Sequence, residues 1–190
     1  MNTPALLVID MLNDFLDRWE PGARESLIRS VNILAREMRD RGCPIIWVRQ
    51  EFEEHLSDAF LEMRRKNIRI TIRGTRGCEI PRELEVAPSD HVLVKKRYSA
   101  FYRTNLDDIL AEAKVGTLIL AGINTHACVR TTAIDAYQRD WPVIIAAECV
   151  DSYDREHHEV SLRYMKGSIG SVLSNAEIVA RLEKHREGSS

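Results

Sequence analysis

Short apolar segments alternate with amphipathic helical segments along most of this chain. Each apolar segment has the length of a buried strand and is far too short to cross a membrane. The helical segments carry apolar residues on one face, as Leu27, Val31, Leu34 and Met38 do in the first long one. This alternation predicts a three-layer αβα fold, in which helices cover both faces of a mainly parallel, doubly wound sheet of five or six strands.

The same pattern predicts where the elements lie. The predicted strands are residues 5–9, 44–48, 90–94, 117–121 and 142–147, with a weaker one at 171–173. The predicted helices are residues 25–41, 56–66, 105–113, 129–139, 155–166 and 176–187. Residues 49–86 form a long, mostly charged excursion between the second and third strands, and excursions of this kind often cover a functional site.

The composition limits the classes of partner. The 190 residues carry a formal net charge of −2, which gives no electrostatic footprint for nucleic acid or for an anionic membrane. No linker rich in proline, glycine or serine divides the chain, so we expect one domain over residues 1–190. The cysteines show neither Cys-x-x-Cys pairs nor zinc-type spacing. We therefore expect a soluble, cytoplasmic protein with reduced thiols, in which Cys43, Cys78 and Cys149 are small apolar fillers.

Cys128 lies where a predicted strand gives way to a helix. The strand at 117–121 stops at Gly122, a turn follows, and helical spacing begins at Val129. Cys128 is therefore expected in or near the first helical turn, where free N–H groups and the helix dipole favour an anion. Such a position predicts a lowered thiol pKa and a nucleophilic thiolate.

Asp10 and Lys95 lie at the ends of two other predicted strands. Because parallel strands bring their carboxyl ends to one edge of a sheet, we expect Asp10, Lys95 and Cys128 to share a pocket there. The three side chains are chemically complementary, since a thiolate attacks a carbonyl, a carboxylate moves a proton and an ammonium group stabilises the resulting charges. From the residues alone, Asp10 can also be a solvated turn or helix-capping acid, and Lys95 a surface charge.

Three stretches around these residues closely resemble the isochorismatase-like cysteine hydrolase superfamily. They are Asp-Met-Leu-Asn-Asp-Phe at 10–15, Lys-Lys-Arg-Tyr-Ser-Ala-Phe at 95–101 and Gly-Ile-Asn-Thr-His-Ala-Cys-Val at 122–129. The resemblance covers nearly the whole chain, in order, and implies a catalytic triad of Asp10, Lys95 and Cys128. It also implies an oxyanion hole formed by the backbone N–H groups of Asn124 and Cys128, with a cis peptide bond between Ile123 and Asn124.

The same resemblance implies further side chains around the substrate. These pocket residues are Phe15, Tyr98, Phe101, Ile123, Arg76 and His126. Arg76 is a candidate for binding a substrate carboxylate, and the alternative is an exposed arginine in a turn. His126 can line the pocket or act as a papain-like base, and its position two residues before Cys128 disfavours the direct contact with the sulfur that a base requires. His157 and His158, in contrast, are expected at a solvated helix start.

Two features separate the chain from named branches of this superfamily. True isochorismatases hydrolyse a vinyl ether and lack the cysteine nucleophile, whereas this chain has Cys128. Nicotinamidases carry metal ligands after the second strand, where this chain has Glu51, Glu53 and His55. We interpret this stretch as a solvated acidic loop, with a divalent ion as the alternative. The resemblance to the metal-independent members therefore implies no metal and no cofactor.

Together these features predict a hydrolase that cleaves a C–N bond of a small amide, carbamoyl or ureido substrate through a thioester acyl-enzyme. The alternatives are an isochorismatase-type or other non-amide hydrolase, a nicotinamidase-like enzyme and a non-catalytic interaction protein on the same fold. The expected partners are a small-molecule substrate and further copies of the chain, since relatives commonly form dimers or tetramers. Neither nucleic acid nor a membrane is an expected partner.

Overall fold

A computed structural model describes residues 3–187, so residues 1, 2 and 188–190 of the predicted domain lie outside the described residues. The strands are β1 (Thr3–Ile9), β2 (Ile45–Gln50), β3 (His91–Lys95), β4 (Val115–Ile123), β5 (Val143–Asp151) and β6 (Ser171–Leu173). They form one parallel sheet in the order β3-β2-β1-β4-β5-β6. The strand order reverses between β1 and β4, which confirms the predicted doubly wound fold and creates a crevice at the carboxyl ends of these two strands.

The helices of the described residues cover both faces of the sheet. They are α1 (Asn13–Leu16), α2 (Pro21–Asp40), α3 (Leu61–Lys66), α4 (Leu106–Glu112), α5 (Arg130–Tyr137), α6 (Arg155–Ser168) and α7 (Asn175–Glu187). None of them combines the length and the apolar character that a bilayer crossing requires. Helix α2 begins four residues before the predicted start, because Pro21 occupies its first turn, where a missing N–H costs nothing.

The sheet separates two apolar clusters. Leu7 and Ile9 of β1 lie in one cluster, together with α4, α5 and part of α6, while Leu6 and Val8 lie in the other, together with α2 and α7. These four side chains are at most 1% exposed, so the central strand is buried on both faces. Burial on both faces fixes where Asp10, the next residue, leaves the sheet.

The excursion after β2 builds a small third cluster. Its buried members are Phe52, Leu56, Ala59, Met63 and Ile72. Phe52 and Ile72 are joined by a parallel bridge that folds the excursion back on itself. The predicted helix at 56–66 is shorter in the structure, because Leu56 adopts a left-handed conformation (φ 57°) and the helix starts only at Leu61. The excursion therefore presents a short helix and a folded loop beside the crevice.

Candidate active site

The crevice brings Asp10, Lys95 and Cys128 together. Asp10 directly follows β1, Lys95 is the last residue of β3, and Cys128 follows β4. The Nζ atom of Lys95 lies 2.6 Å from Oδ2 of Asp10 and 3.5 Å from Sγ of Cys128. The exposed fractions of the residues are 1% for Asp10, 0% for Lys95 and 5% for Cys128. Three chemically complementary groups thus share one buried position at the carboxyl edge of the sheet, where the strand pattern predicts them.

The backbone positions each of these groups individually. Asp10 adopts a left-handed conformation (φ 53°), and its N–H donates to the carbonyl of Val48 at 2.8 Å. Lys95 also donates from Nζ to the carbonyl of Arg97 at 3.0 Å. Gly122 has φ 106°, and a Cβ atom there would lie 2.0 Å from the carbonyl oxygen of Ile9, so glycine alone fits. The close approach of β1 and β4 at this point sets the separation between Asp10 and the cysteine turn.

Cys128 lies in a single π-helical turn, Thr125–Val129, that precedes α5. The carbonyl of Asn124 accepts hydrogen bonds from the N–H groups of Ala127 (3.0 Å) and Val129 (3.3 Å), which hold the turn closed. The peptide bond between Ile123 and Asn124 is cis, as the family resemblance implies. The role of the Asn124 and Cys128 amides as oxyanion donors remains a prediction.

The electrostatics of the thiol differ from the sequence expectation. Burial raises the pKa of Cys128, the charge of Asp10 adds to the increase, and Lys95 offsets only part of it. The expected lowering by the helix start is therefore wrong for the resting protein, because Cys128 is buried beside a carboxylate rather than exposed at a helix end. Burial lowers the pKa of Lys95, but Asp10 and Cys128 outweigh burial and raise it. A neutral thiol beside an Asp10–Lys95 ion pair follows from these directions.

The Asp10 carboxylate has few partners for a buried charge. Its Oδ2 atom is paired with the Lys95 ammonium group at 2.6 Å, and the Cys128 thiol is its other hydrogen-bond neighbour. Buried carboxylates with a structural role normally have several hydrogen-bond donors. A carboxylate whose partners are one ammonium group and a thiol is an available acceptor for the thiol proton.

A cavity of about 710 Å³ opens above these groups. Its lining is mainly aromatic and aliphatic, with a smaller number of polar and charged side chains. The lining residues are Asp10, Asp14, Phe15, Arg18, Trp19, Gln50, Phe60, Glu62, Met63, Ile68, Ile70, Tyr98, Ile123, Asn124, His126, Ala127, Cys128 and Tyr153. The cavity is thus of the size and character of a site for a small organic molecule.

The structure places four of the six predicted pocket residues in this lining, namely Phe15, Tyr98, Ile123 and His126. Phe101 and Arg76 do not line the cavity. Phe101 is 3% exposed and packs in the core beneath the guanidinium group of Arg139, because the loop after β3 turns this ring inward. Arg76 points outward to an ion pair with Asp17, so the exposed-turn alternative describes it.

Several lining residues were not among the sequence candidates. The excursion contributes Phe60, Met63, Ile68 and Ile70 to the lining. The sequence predicts that this excursion covers a site, but it does not indicate which of its side chains point into the cavity. Gln50 was accessible to sequence reasoning, because it ends β2 at the same edge of the sheet as Asp10 and Lys95. Trp19 and Tyr153 come from turns whose orientation depends on tertiary packing.

The acidic residues after β2 bind arginine side chains. Glu51 is buried and pairs with Arg49 at 2.7 Å and with Arg73 at 2.8 Å, while Glu53 pairs with Arg73 at 2.7 Å. His55 is exposed. Among the described residues, no group of three or more histidine, cysteine or acidic side chains is arranged to hold a metal ion. The structure therefore does not assemble Glu51, Glu53 and His55 into one site, and it replaces the expected solvated acidic loop by a partly buried ion-pair network.

The histidines near the cavity occupy different environments. His126 lines the cavity, and its Nδ1 atom hydrogen-bonds Oγ of Ser152 at 2.8 Å. Burial lowers the pKa of His126, and the nearby His157 adds to the decrease. His157 is exposed, as expected, but His158 is 5% exposed and is not part of a solvated helix start. The reason is helical periodicity, since His158 shares the buried face of α6 with Ser161 and Met165.

The sheet is doubly wound, and a crevice lies where its strand order reverses. These two features place the chain in the class of α/β scaffolds that bind ligands at the carboxyl ends of their strands. More narrowly, a sequence model of the isochorismatase domain matches residues 4–177, and the chain belongs to the isochorismatase family of hydrolases.

Named relatives support this assignment. The chain is 30% identical over 176 residues to the uncharacterised isochorismatase family protein YaaI of Bacillus subtilis, covering 91% of this chain and 94% of the relative. It is 34% identical over 172 residues to a probable inactive nicotinamidase of Arabidopsis thaliana, covering 85% and 87%. The crystal structure of N-carbamoylsarcosine amidase from Thermoplasma acidophilum is similar with a TM-score of 0.78 and 28% identity, covering 91% and 96%.

Proposed function

We propose that this protein is a cysteine hydrolase that cleaves the C–N bond of an amide, carbamoyl or ureido compound through a thioester. The observation that carries the proposal is the buried contact of Lys95 with both Asp10 and Cys128 at the floor of the cavity. The structurally similar protein from Thermoplasma acidophilum is an N-carbamoylsarcosine amidase, and this supports the same reaction type.

In the first half-reaction, Asp10 acts as the general base. It takes the proton of the Cys128 thiol as Sγ attacks the substrate carbonyl carbon, which forms the S–C bond and a tetrahedral oxyanion. The backbone N–H groups of Asn124 and Cys128 are the proposed donors to that oxyanion. The high pKa of the buried thiol gives Asp10 this task, because the sulfur is not a ready thiolate at neutral pH.

Collapse of the tetrahedral species then breaks the C–N bond. Asp10 returns its proton to the departing nitrogen, so ammonia or an amine leaves and an S-acyl thioester remains on Cys128. Water attacks the thioester carbonyl while Asp10 accepts a proton from it, the C–S bond then breaks to release the acid product, and Asp10 returns the proton to the sulfur of Cys128. Lys95 supports both halves by holding Asp10 and by offsetting negative charge on the sulfur and the carboxylate.

The walls of the cavity indicate what the substrate carries besides its amide. Phe15, Trp19, Phe60 and Tyr98 give the cavity an aromatic lining on which an apolar or planar group can pack. Arg18 lines the same cavity and forms no ion pair with another described residue. A substrate with its carbonyl at Cys128 and its remainder along the aromatic wall fits this arrangement, and Arg18 offers a contact for an anionic end.

The test is ammonia release from a panel of primary amides, carbamoyl compounds and ureides, run with and without a chelator. We expect at least one compound to be hydrolysed, with the rate unaffected by the chelator. Full activity of a Cys128→Ala or Asp10→Ala variant on that compound would show the proposed mechanism to be wrong. Hydrolysis of a vinyl ether or an ester, with no amide cleaved, would favour the non-amide alternative.

A non-catalytic role is the rival from another class, and the Arabidopsis relative is named as a probable inactive enzyme. In this chain the thiol, carboxylate and ammonium groups are all present and in contact. Alkylation by iodoacetamide at neutral pH separates the two possibilities. Although the resting thiol is neutral, Asp10 can take its proton during alkylation, so an active site predicts faster labelling of Cys128 than of Cys149, a buried thiol that does not line the cavity. Equally slow labelling of both favours the rival.

A further inference from the structure

His158 is a buried titratable residue that the proposed mechanism does not use. It lies on α6 and is 5% exposed, while the adjacent His157 faces solvent. Its Nδ1 atom lies 2.9 Å from Oγ1 of Thr125 and 3.6 Å from Oδ1 of Asp151. Both neighbours face the same ring nitrogen, and the Thr125 hydroxyl, at hydrogen-bond distance, is the contact that orients the buried imidazole.

Thr125 connects this histidine to the nucleophile. It is 0% exposed and is the first residue of the π-helical turn that contains Cys128. It directly follows Asn124, whose N–H is a proposed oxyanion donor. A hydrogen bond to the Thr125 side chain therefore acts on the segment that carries both an oxyanion donor and the attacking sulfur.

A second hydrogen bond connects the same π-helical turn to the segment around Asp151. His126 bonds Ser152 at 2.8 Å, and the N–H of Ser152 donates to Oδ1 of Asp151 at 2.8 Å. Two consecutive residues of the turn, Thr125 and His126, are thus connected to the segment around Asp151. Of these two connections, the one through His158 is the more deeply buried, so it is the one from which water is better excluded.

We propose that His158 is a positioning residue that acts through Thr125 to fix the turn bearing Asn124 and Cys128. The inference rests on the proposed function, since the turn matters only if Cys128 is the nucleophile. Burial lowers the pKa of His158, with Arg155 acting in the same direction and Asp151 and Glu159 opposing. The imidazole is accordingly neutral near pH 7 and hydrogen-bonds Thr125 as an uncharged group.

The experiment removes the hydrogen bond from either side and then restores it. Thr125→Val and His158→Phe delete one partner each, while Thr125→Ser and His158→Asn keep a polar atom near the original position. His157→Phe is the matched control, because it makes the same change as His158→Phe one residue away on the exposed side of α6. Each variant is assayed for kcat and KM with the amide hydrolysed fastest in the panel, and for the rate at which iodoacetamide labels Cys128.

A displaced turn costs transition-state stabilisation rather than ground-state binding. We expect Thr125→Val and His158→Phe to lower kcat by about tenfold to a hundredfold with KM changed less than about twofold. Thr125→Ser, His158→Asn and the control His157→Phe should stay near the parent protein. The double variant Thr125→Val/His158→Phe should be no slower than the slower single variant, because both remove the same contact.

An unchanged kcat and an unchanged labelling rate in Thr125→Val would overturn the inference, as would a multiplicative loss in the double variant. Thr125→Val is close to isosteric, so it decides the matter even if His158→Phe does not fold. If the parent protein hydrolyses no amide, the proposed function fails separately. In that case the labelling rates of Cys128 still decide the inference, with a change of about threefold or more in Thr125→Val expected from a misplaced thiol.

Discussion

Two buried aspartates at opposite edges of the sheet show how partners decide the role of a carboxylate. Asp90, just before β3, accepts hydrogen bonds from Nε and Nη2 of Arg39, Nε1 of Trp47 and the N–H of Ala87, at 2.8 to 3.1 Å. Asp10, just after β1, has only two such neighbours, the Lys95 ammonium group at 2.6 Å and the Cys128 thiol. Their burial is similar, with side-chain exposures of 2% and 1%.

The consequence is a division of labour between the two carboxylates. Burial alone would raise the pKa of Asp90, but the hydrogen bonds from Arg39, Trp47 and Ala87 outweigh it and lower the pKa. Asp90 therefore stabilises the fold as a permanent anion. Asp10 instead lies beside a thiol whose pKa is raised, which is the arrangement required for moving a proton.

The largest expected effect concerns the two buried thiols that differ in their neighbours. Cys128→Ser should lower the turnover of the panel amide by about 10⁴-fold or more, because a serine hydroxyl is far harder to deprotonate than a thiol. Cys149→Ser is the control, since Cys149 is buried but contacts Asn175 rather than the triad, and its activity should remain. Comparable losses in both variants would mean that the thiols are structural.

The next effect compares the two aspartates in catalysis. Asp10→Asn should lower kcat by about 10³-fold, because an amide cannot accept the thiol proton. Asp90→Asn should leave kcat within about threefold, since it lies at the other edge of the sheet. Steady-state ammonia release measures both. Equal losses in the two variants would remove the distinction between a reactive and a structural carboxylate.

The two aspartates should also differ in stability. Asp90→Asn should lower the free energy of unfolding by about 2–3 kcal/mol, because the new amide NH₂ cannot accept the hydrogen bonds that reach one carboxylate oxygen. Urea denaturation followed by tryptophan fluorescence measures the change. Glu85→Gln is a matched control, because Glu85 pairs with Arg36 at the exposed surface and a much smaller change in unfolding free energy is expected. Similar values for the two variants would contradict the role assigned to Asp90.

The smallest effect is the pH dependence of that stability. The folded-state pKa of Asp90 is lowered, so its contribution is fully present above the unfolded-state pKa near 4 and is lost as the pH falls through the folded-state value. The stability difference between the parent protein and Asp90→Asn should therefore be constant from pH 5 to 7 and should shrink below about pH 4. Urea midpoints measured across this range provide the check. A difference that grows on acidification would contradict the lowered pKa.

The comparison also shows what sequence could and could not reveal. Strand ends can be found from apolar runs, and residues at the carboxyl ends of parallel strands lie at one edge of the sheet. The proximity of Asp10, Lys95 and Cys128 could therefore be predicted from the sequence. Whether a carboxylate is satisfied or free depends on partners distant in sequence, such as Arg39 and Trp47 for Asp90. No sequence pattern around Asp90 indicates its hydrogen bonds with Arg39 and Trp47, which form only in the folded chain.

Two further differences follow the same logic. The pKa of Cys128 depends on burial and on Asp10, so a rule based on helix ends alone predicted the wrong direction. The burial of His158 could be predicted from the sequence, because Ser161 and Met165 follow it at helical spacing. The prediction was wrong because it treated His157 and His158 together as solvated residues. Phe101 differs again, since no periodicity fixes the orientation of side chains in a loop.

The most direct test of the account is the covalent state of Cys128 during turnover. The parent protein is mixed rapidly with the amide that it hydrolyses fastest and is quenched in acid within milliseconds. Intact-protein mass spectrometry then measures the added mass, and peptide mapping locates the adduct. The account predicts an added mass equal to the acyl group on Cys128, which is absent in Cys128→Ser and retained in Cys149→Ser. An adduct on any other residue, or continued turnover by Cys128→Ser, would contradict the account.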